Sequence, residues 1–269
     1  AGGADEGVND RLMKLLFFIG GLRDHGAGRV TAVLPYLAYA RKDRRTKARD
    51  PVTSRYVAQL LEAVGVHRLV AMDVHNLAAY QNAFRIPAEH LEARPLFVRE
   101  FLRDPASRDA VLVSPDAGGY KRVERLRETL TMQLGAAPDI AFMEKKRSEG
   151  VVSGEALVGD VKGRTAVILD DLISTGSTLA RAADACRRAG AVQVIAAATH
   201  GLFTGDAARI LSSAPIDRLI VADTVPVPGT VRTALGDRLT VLDTAPLVAA
   251  ALRCLNTDGS LGDTVESFV

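Results

Sequence analysis

Two adjacent carboxylates, Asp170 and Asp171, end an apolar run, and a short hydroxyl-rich turn follows: Ser174, Thr175, Gly176, Ser177 and Thr178. The run at residues 165–169 reads as a buried strand, and a helical pattern begins near Ser177. A strand that turns directly into a helix exposes successive backbone N–H groups beside the positive end of the helix dipole, which together form an anion site. Gly176 lets the backbone approach a phosphate closely, and the hydroxyls complete the cradle. The carboxylates need a different partner. Sugar hydroxyls or a Mg²⁺ would satisfy them, so the segment reads as one clamp for a sugar phosphate. The plainer alternative is a strand–helix junction capped by Ser or Thr. The paired acids are more than a cap requires.

Further strand ends carry charge. Arg41, Lys42, Arg44 and Arg45, with Asp43 among them, follow an apolar run at residues 29–35. Arginine offers a planar fork for phosphate oxygens, so the cluster suits a polyphosphate. His75 follows the run at 68–71, two residues after Asp73, a better position for chemistry than that of an isolated histidine. Asp116 opens a glycine turn with Gly118 and Gly119 after the run at 110–114, and Lys121 and Arg122 come next. Lys145 and Arg147 follow a run at 140–143, and the polar, glycine-containing residues 148–154 then read as a mobile lid.

The elements that must position these groups alternate. Strands are expected at residues 29–35, 68–74, 110–114, 140–143, 165–169, 192–199, 218–222 and 239–242. Helices are expected at 9–24, 52–64, 121–134, 177–189, 205–212 and 246–255. Most of the strands are continuously apolar, as strands covered on both faces are. The alternation predicts an α/β protein with mostly parallel sheets. The rhythm breaks at residues 87–105, where prolines mix with charges, so a domain boundary is expected near residue 95. That gives domains at 1–95 and 96–256, with a polar tail at 257–269 either loose or packed on the first domain.

Composition narrows the class. Lys plus Arg number 34 against 32 Asp plus Glu in 269 residues, a balance without the excess that a nucleic-acid binder needs. No apolar run approaches the roughly 20 residues that span a bilayer, and no signal-peptide layout is read at the start. Two cysteines, Cys186 and Cys254, lie outside any metal-ligand spacing and are expected to be reduced, which suits the cytoplasm.

The segment at residues 170–178 resembles the loop that type I phosphoribosyltransferases and PRPP synthases use to hold a ribose phosphate. The basic segment at 35–45, the Asp73–His75 segment, the Asp116 turn, the Lys145–Arg147 segment and the Thr199, His200, Gly201 segment are similar to the ribose-phosphate pyrophosphokinase (PRPP synthase) family, in its order and spacing. The resemblance implies two tandem type I phosphoribosyltransferase-like domains, the first truncated. It implies a homo-oligomer, a hexamer in the family, acting on ATP and ribose 5-phosphate with Mg²⁺. Lys145, Arg147 and His75 would be catalytic. Asp170, Asp171, Ser174, Thr175, Gly176, Ser177 and Thr178 would bind ribose 5-phosphate. Arg41, Lys42, Asp43, Arg44 and His75 would bind ATP, and His75 and Asp116 the metal. Departures from the family pattern are Lys42 for a glutamine, Asn76 for an alanine and Ser174 for an aspartate. The chain begins at Ala1, and the resemblance begins inside the family's first domain, so the usual N-terminal segment, which grips adenine, is expected to be lacking. A PRPP-consuming phosphoribosyltransferase, a non-catalytic regulatory subunit and a structural α/β protein are the rival readings.

Overall fold

The computed structural model describes residues 7–148 and 151–268, with the side chains of residues 106, 145–148 and 151–155 outside that description. The chain divides into two compact units, Ala1–Glu92 and Ala93–Val269.

The first unit runs α1 (Val8–Asp24), β1 (Thr31–Leu34), α2 (Thr53–Ala63), β2 (Arg68–Met72), α3 (Leu77–Ala83) and β3 (Ala88–Leu91). Its strands, among the described residues, form one parallel sheet in the order β1-β2-β3. Val57, Ala58 and Leu61 recur at helical steps along α2 and are buried with Leu16 and Ile19 of α1 and Leu69 and Ala71 of β2. The sequence reading missed β3, which lies in the stretch taken as an interruption. Its first three residues are half-buried and include Glu89 and His90, so no apolar run marks it. It also missed α3, a short helix capped by the Asn76 side chain.

The second unit runs α4 (Arg94–Arg103), β4 (Val111–Ser114), α5 (Tyr120–Leu134), β5 (Ile140–Ser148), β6 (Val151–Val158), β7 (Thr165–Ile173), α6 (Ser177–Arg188), β8 (Gln193–Gly201), α7 (Ala207–Ser213), β9 (Arg218–Ala222), α8 (Gly229–Leu235), β10 (Leu239–Leu242), α9 (Ala245–Asn256) and α10 (Leu261–Glu266). Its sheet, again among the described residues, has the order β10-β9-β8-β7-β4-β5-β6. Every pairing is parallel except β5 with β6. Val111, Val113, Ile168, Ala196 and Val221 pack on one face against Leu179, Ala182 and Cys186 of α6. Alternate residues such as Leu112 and Val167 point to the other face and are as deeply buried.

Two expectations change here. Of the residues 148–154 read as a mobile lid, Ser148 ends β5 and 151–154 lie in β6, while 149 and 150 lie outside the described residues; β5 and β6 pair antiparallel, Lys145 with Glu155 and Arg147 with Val152. The register shifts between Lys146 and Arg147, so the pairing is irregular at that step, between the two cationic positions. The polar tail, for which packing on the first domain was one expectation, groups with the second unit: α10 packs on α9, and the Arg99 guanidinium lies 5.0 Å from the Phe268 ring centroid. Among the described residues no helix is long and apolar enough to cross a membrane.

Gly159 closes the hairpin's return with φ +117°, and a Cβ there would lie 2.6 Å from the Ala141 Cβ and 2.8 Å from its Cα. Neither the backbone of β5 nor that conformation tolerates a side chain. Gly159→Ala is expected to cost about 2 kcal/mol or more, read as a lower urea midpoint at unchanged m-value. An unchanged midpoint would mean that the hairpin is not anchored at Ala141.

Candidate active site

The strand order reverses between β4 and β7. From β4 the chain moves outward through β5 to β6, then returns to the far side of β4 and moves away through β8, β9 and β10. At such a switch point the connections leave adjacent strands in opposite directions and open a crevice beyond the carboxyl ends of the strands, where ligands bind. The Asp116 turn follows β4, and the acidic pair with its hydroxyl-rich turn ends β7. The topology therefore brings Asp116, Asp170, Asp171 and residues 174–178 together.

The Asp116 turn is tied internally. Its carboxylate Oδ1 accepts the Gly119 N–H at 2.9 Å, and the Ser114 hydroxyl donates to the Asp116 carbonyl at 2.6 Å. Three residues beyond Gly119, in the first turn of α5, Arg122 turns back to the acidic pair. Its Nη1 lies 3.7 Å from Asp170 Oδ1 and its Nη2 3.5 Å from Asp171 Oδ2. Arg122 thus bridges the two strand ends. The sequence reading noted it without giving it a role, although a cation in a helix's first turn, where acids are normally favoured, is a readable signal.

The carboxylates lie inside the sheet's ladder, because β7 extends to Ile173 and not only to residue 169; Asp170 aligns with Ala198 of β8 and Leu172 with His200. Burial pushes the Asp170 carboxyl up to about 7, and the neighbouring Asp171 adds to the rise while Arg122 opposes it.

Past β7, Gly176 has φ +79°, and a Cβ on it would lie 2.7 Å from the Leu211 Cγ. Glycine is required there by conformation and by packing against α7. Ala180 N–H donates to the Gly176 carbonyl at 2.9 Å, starting α6 with its leading N–H groups at the crevice. Thr175 and Ser177 are exposed, with their hydroxyls 3.0 Å apart. Ser174, the departure from aspartate, faces Thr204: the hydroxyls are 2.9 Å apart, and the Thr204 N–H donates to the Ser174 carbonyl at 2.9 Å. The turn is thereby joined to the segment after β8. There His200 is buried, with Nδ1 2.9 Å from the Thr224 hydroxyl, which donates to the Thr199 carbonyl at 3.0 Å.

In the first unit the basic residues occupy an irregular loop between β1 and α2. Arg41 and Arg44 are exposed. Lys42, expected to face ATP, pairs with Asp50 at 3.1 Å. Asp50 also accepts from the Thr46 hydroxyl and from the Thr46 and Lys47 N–H groups. These bonds, that from the Thr46 hydroxyl foremost and that from Lys42 next, hold its carboxyl well below the usual range. Asp43 accepts from Asn76 Nδ2 at 2.7 Å, next to the exposed His75. Lys145 and Arg147 lie on β5, and their side chains are outside the described residues. Among the described residues, no three His, Cys, Asp or Glu side chains converge as a metal cage.

Comparison with known proteins follows this geometry. A family model described as the N-terminal domain of ribose phosphate pyrophosphokinase matches residues 4–65, and one described as the phosphoribosyl synthetase-associated domain matches residues 151–265. The ribose-phosphate pyrophosphokinase of Caldanaerobacter subterraneus subsp. tengcongensis is 39% identical over 91% of this chain and 75% of its own length. That of Clostridium acetobutylicum is 38% identical over 94% and 77%. The chain belongs to the ribose-phosphate pyrophosphokinase family. Membership extends to the fold: the crystal structure of phosphoribosylpyrophosphate synthetase from Mycobacterium smegmatis superposes with a TM-score of 0.82 at 37% identity, covering 94% of this chain and 80% of that one. The fold expected from the resemblance, α/β with mostly parallel sheets of the type I phosphoribosyltransferase kind, is the fold found.

Because Asp170 sits at about 7 against an ordinary 3.8, the folded chain binds an extra proton between these values, and stability falls as pH rises through about 7. Arg122 offsets that loss. Arg122→Ala is expected to destabilise by about 1–2 kcal/mol at pH 8, where both acids are ionised, and by less at pH 5. Thermal melts at the two pH values check this; equal losses would mean that Arg122 does not serve the pair.

Proposed function

We propose that the chain transfers the diphosphoryl group of ATP to the 1-hydroxyl of ribose 5-phosphate, giving PRPP and AMP. The observation that carries this reading is the β4–β7 switch point, where an anion-binding turn and a pair of adjacent carboxylates stand together in a member of this family. The turn at residues 174–178 takes the 5-phosphate through the leading N–H groups of α6 and the hydroxyls of Thr175, Ser177 and Thr178, with Ser174 fixing the turn against Thr204. Asp170 and Asp171 accept the ribose hydroxyls.

Mg²⁺ prefers oxygen donors and is usually held by one or two carboxylates together with substrate phosphates and water. The exposed Asp116 and the adjacent Asp170 and Asp171 fit that habit; His75 joins as a metal ligand by resemblance alone. When bound, the ion would supply charge neutralisation on the phosphate oxygens. Arg41, Arg44 and His75 bind the ATP phosphates. Lys42 supports this indirectly, by pinning the loop to Asp50. In diphosphoryl transfer the protein mainly aligns the reactants and stabilises developing charge. The sugar's 1-hydroxyl attacks the β-phosphorus, the bond to the α-phosphate oxygen breaks, and AMP leaves with that oxygen. Lys145 and Arg147 on β5 balance the charge that grows on the bridging oxygen and the transferred group. A cytoplasmic homo-oligomer belongs to the same reading, supported by the resemblance.

Incubation with Mg²⁺, ATP and ribose 5-phosphate is expected to yield AMP and PRPP in equal amounts, and PRPP formation without AMP, or neither product, would overturn the reading. Lys145→Ala is expected to lower kcat by about a hundredfold or more with an unchanged melting temperature. Wild-type turnover in that variant would remove Lys145 from the reaction.

A further inference from the structure

Asn76 follows His75 directly and makes bonds at both ends of its amide. Its Oδ1 accepts the Ala79 N–H at 3.1 Å and caps α3. Its Nδ2 donates to Asp43 Oδ2 at 2.7 Å. The backbone N–H can only donate and an ionised carboxylate can only accept, so the amide's orientation follows from its two partners. One side chain therefore ties the His75 segment to the middle of the basic loop.

The loop needs such ties. It has no regular ladder from Pro35 to Val52, and Tyr39 and Arg49 take φ +65° and +69°. Lys42, one residue before Asp43, is held by Asp50, while its carbonyl accepts from the Ser54 N–H at 3.2 Å and the Ser54 hydroxyl at 3.1 Å. Asp43, Ser54 and Asn76 also line a small cavity with Leu37, Val74 and Tyr80. Neither Lys42 nor Asn76 matches the family pattern at its position, and both side chains hold the same loop.

We propose that Asn76 is a positioning residue for the nucleotide: by holding Asp43 it fixes the backbone from which Arg41 and Arg44 meet the ATP phosphates beside His75. Asn76 itself touches no reacting atom. The inference rests on the assignment of this loop to ATP made above.

Two substitutions separate positioning from helix capping. Asn76→Ser and Asn76→Asp both keep an acceptor for the Ala79 N–H, and serine and aspartate cap about as well as asparagine. Serine removes the donor to Asp43; aspartate sets a like charge against it. Calorimetric titration with Mg-ATP and steady-state assays at varied ATP are run on both variants and the wild type. The expected result is a rise in Kd and KM for ATP of about threefold for Asn76→Ser and tenfold or more for Asn76→Asp. The kcat, the KM for ribose 5-phosphate and the melting temperature should stay near wild type. Wild-type ATP affinity in Asn76→Asp would overturn the inference and leave the assignment of the loop standing. Failure of the wild type to bind Mg-ATP would overturn both.

Discussion

Placing two carboxylates side by side at the end of a buried strand is unfavourable, and the second unit is arranged around that constraint. Asp170 and Asp171 continue a strand whose residues 166–169 are apolar and buried. Arg122 lies within 3.5 and 3.7 Å of them, longer than a close ion pair. Burial first, and Asp171 beside it next, raise the Asp170 carboxyl to about 7. Carboxylates held this way can admit a metal-bound substrate and the hydroxyls of a sugar; a tightly satisfied ion pair would close the site.

The phosphate-binding turn depends on the same arrangement from its other side. Gly176, having no Cβ, takes a positive φ and fits against Leu211, and the turn's start is held by Ser174 on Thr204. The turn is therefore shaped before any ligand arrives. Preorganised donors contribute more to binding and to transition-state stabilisation than donors that must be gathered. The basic loop of the first unit is also preset, by Lys42 on Asp50 and by Asn76 on Asp43.

Much of this was legible in the residues. Apolar runs marked β2, β4, β7, β8 and β9 because these strands are covered on both faces and need continuous hydrophobicity, and they also marked β1 and β10, whose residues are mostly half-buried. The turn at 174–178 was legible because glycine and hydroxyls between a strand and a helix have few other uses. Local pattern failed where partners far along the chain decide the structure. β3 is half-buried and carries Glu89 and His90, so no run announces it. The extension of β5 over residues 144–148 and the strand β6 looked like a loop because charged residues, serine and glycine break up any long apolar run there. The charge of Lys42 is visible in the sequence, whereas the geometry that brings Asp50 to it is not. Arg122 was in view, but only the strand order shows that its turn faces Asp170.

The central claim is that the end of β7 and the start of α6 hold the phosphate of the sugar. The most direct measurement is a crystal structure of the protein with ribose 5-phosphate bound. The account predicts the 5-phosphate within hydrogen-bonding distance of the backbone nitrogens of residues 175–178, with the 2- and 3-hydroxyls toward Asp170 and Asp171. A sugar phosphate bound elsewhere, with that turn unoccupied, would contradict it.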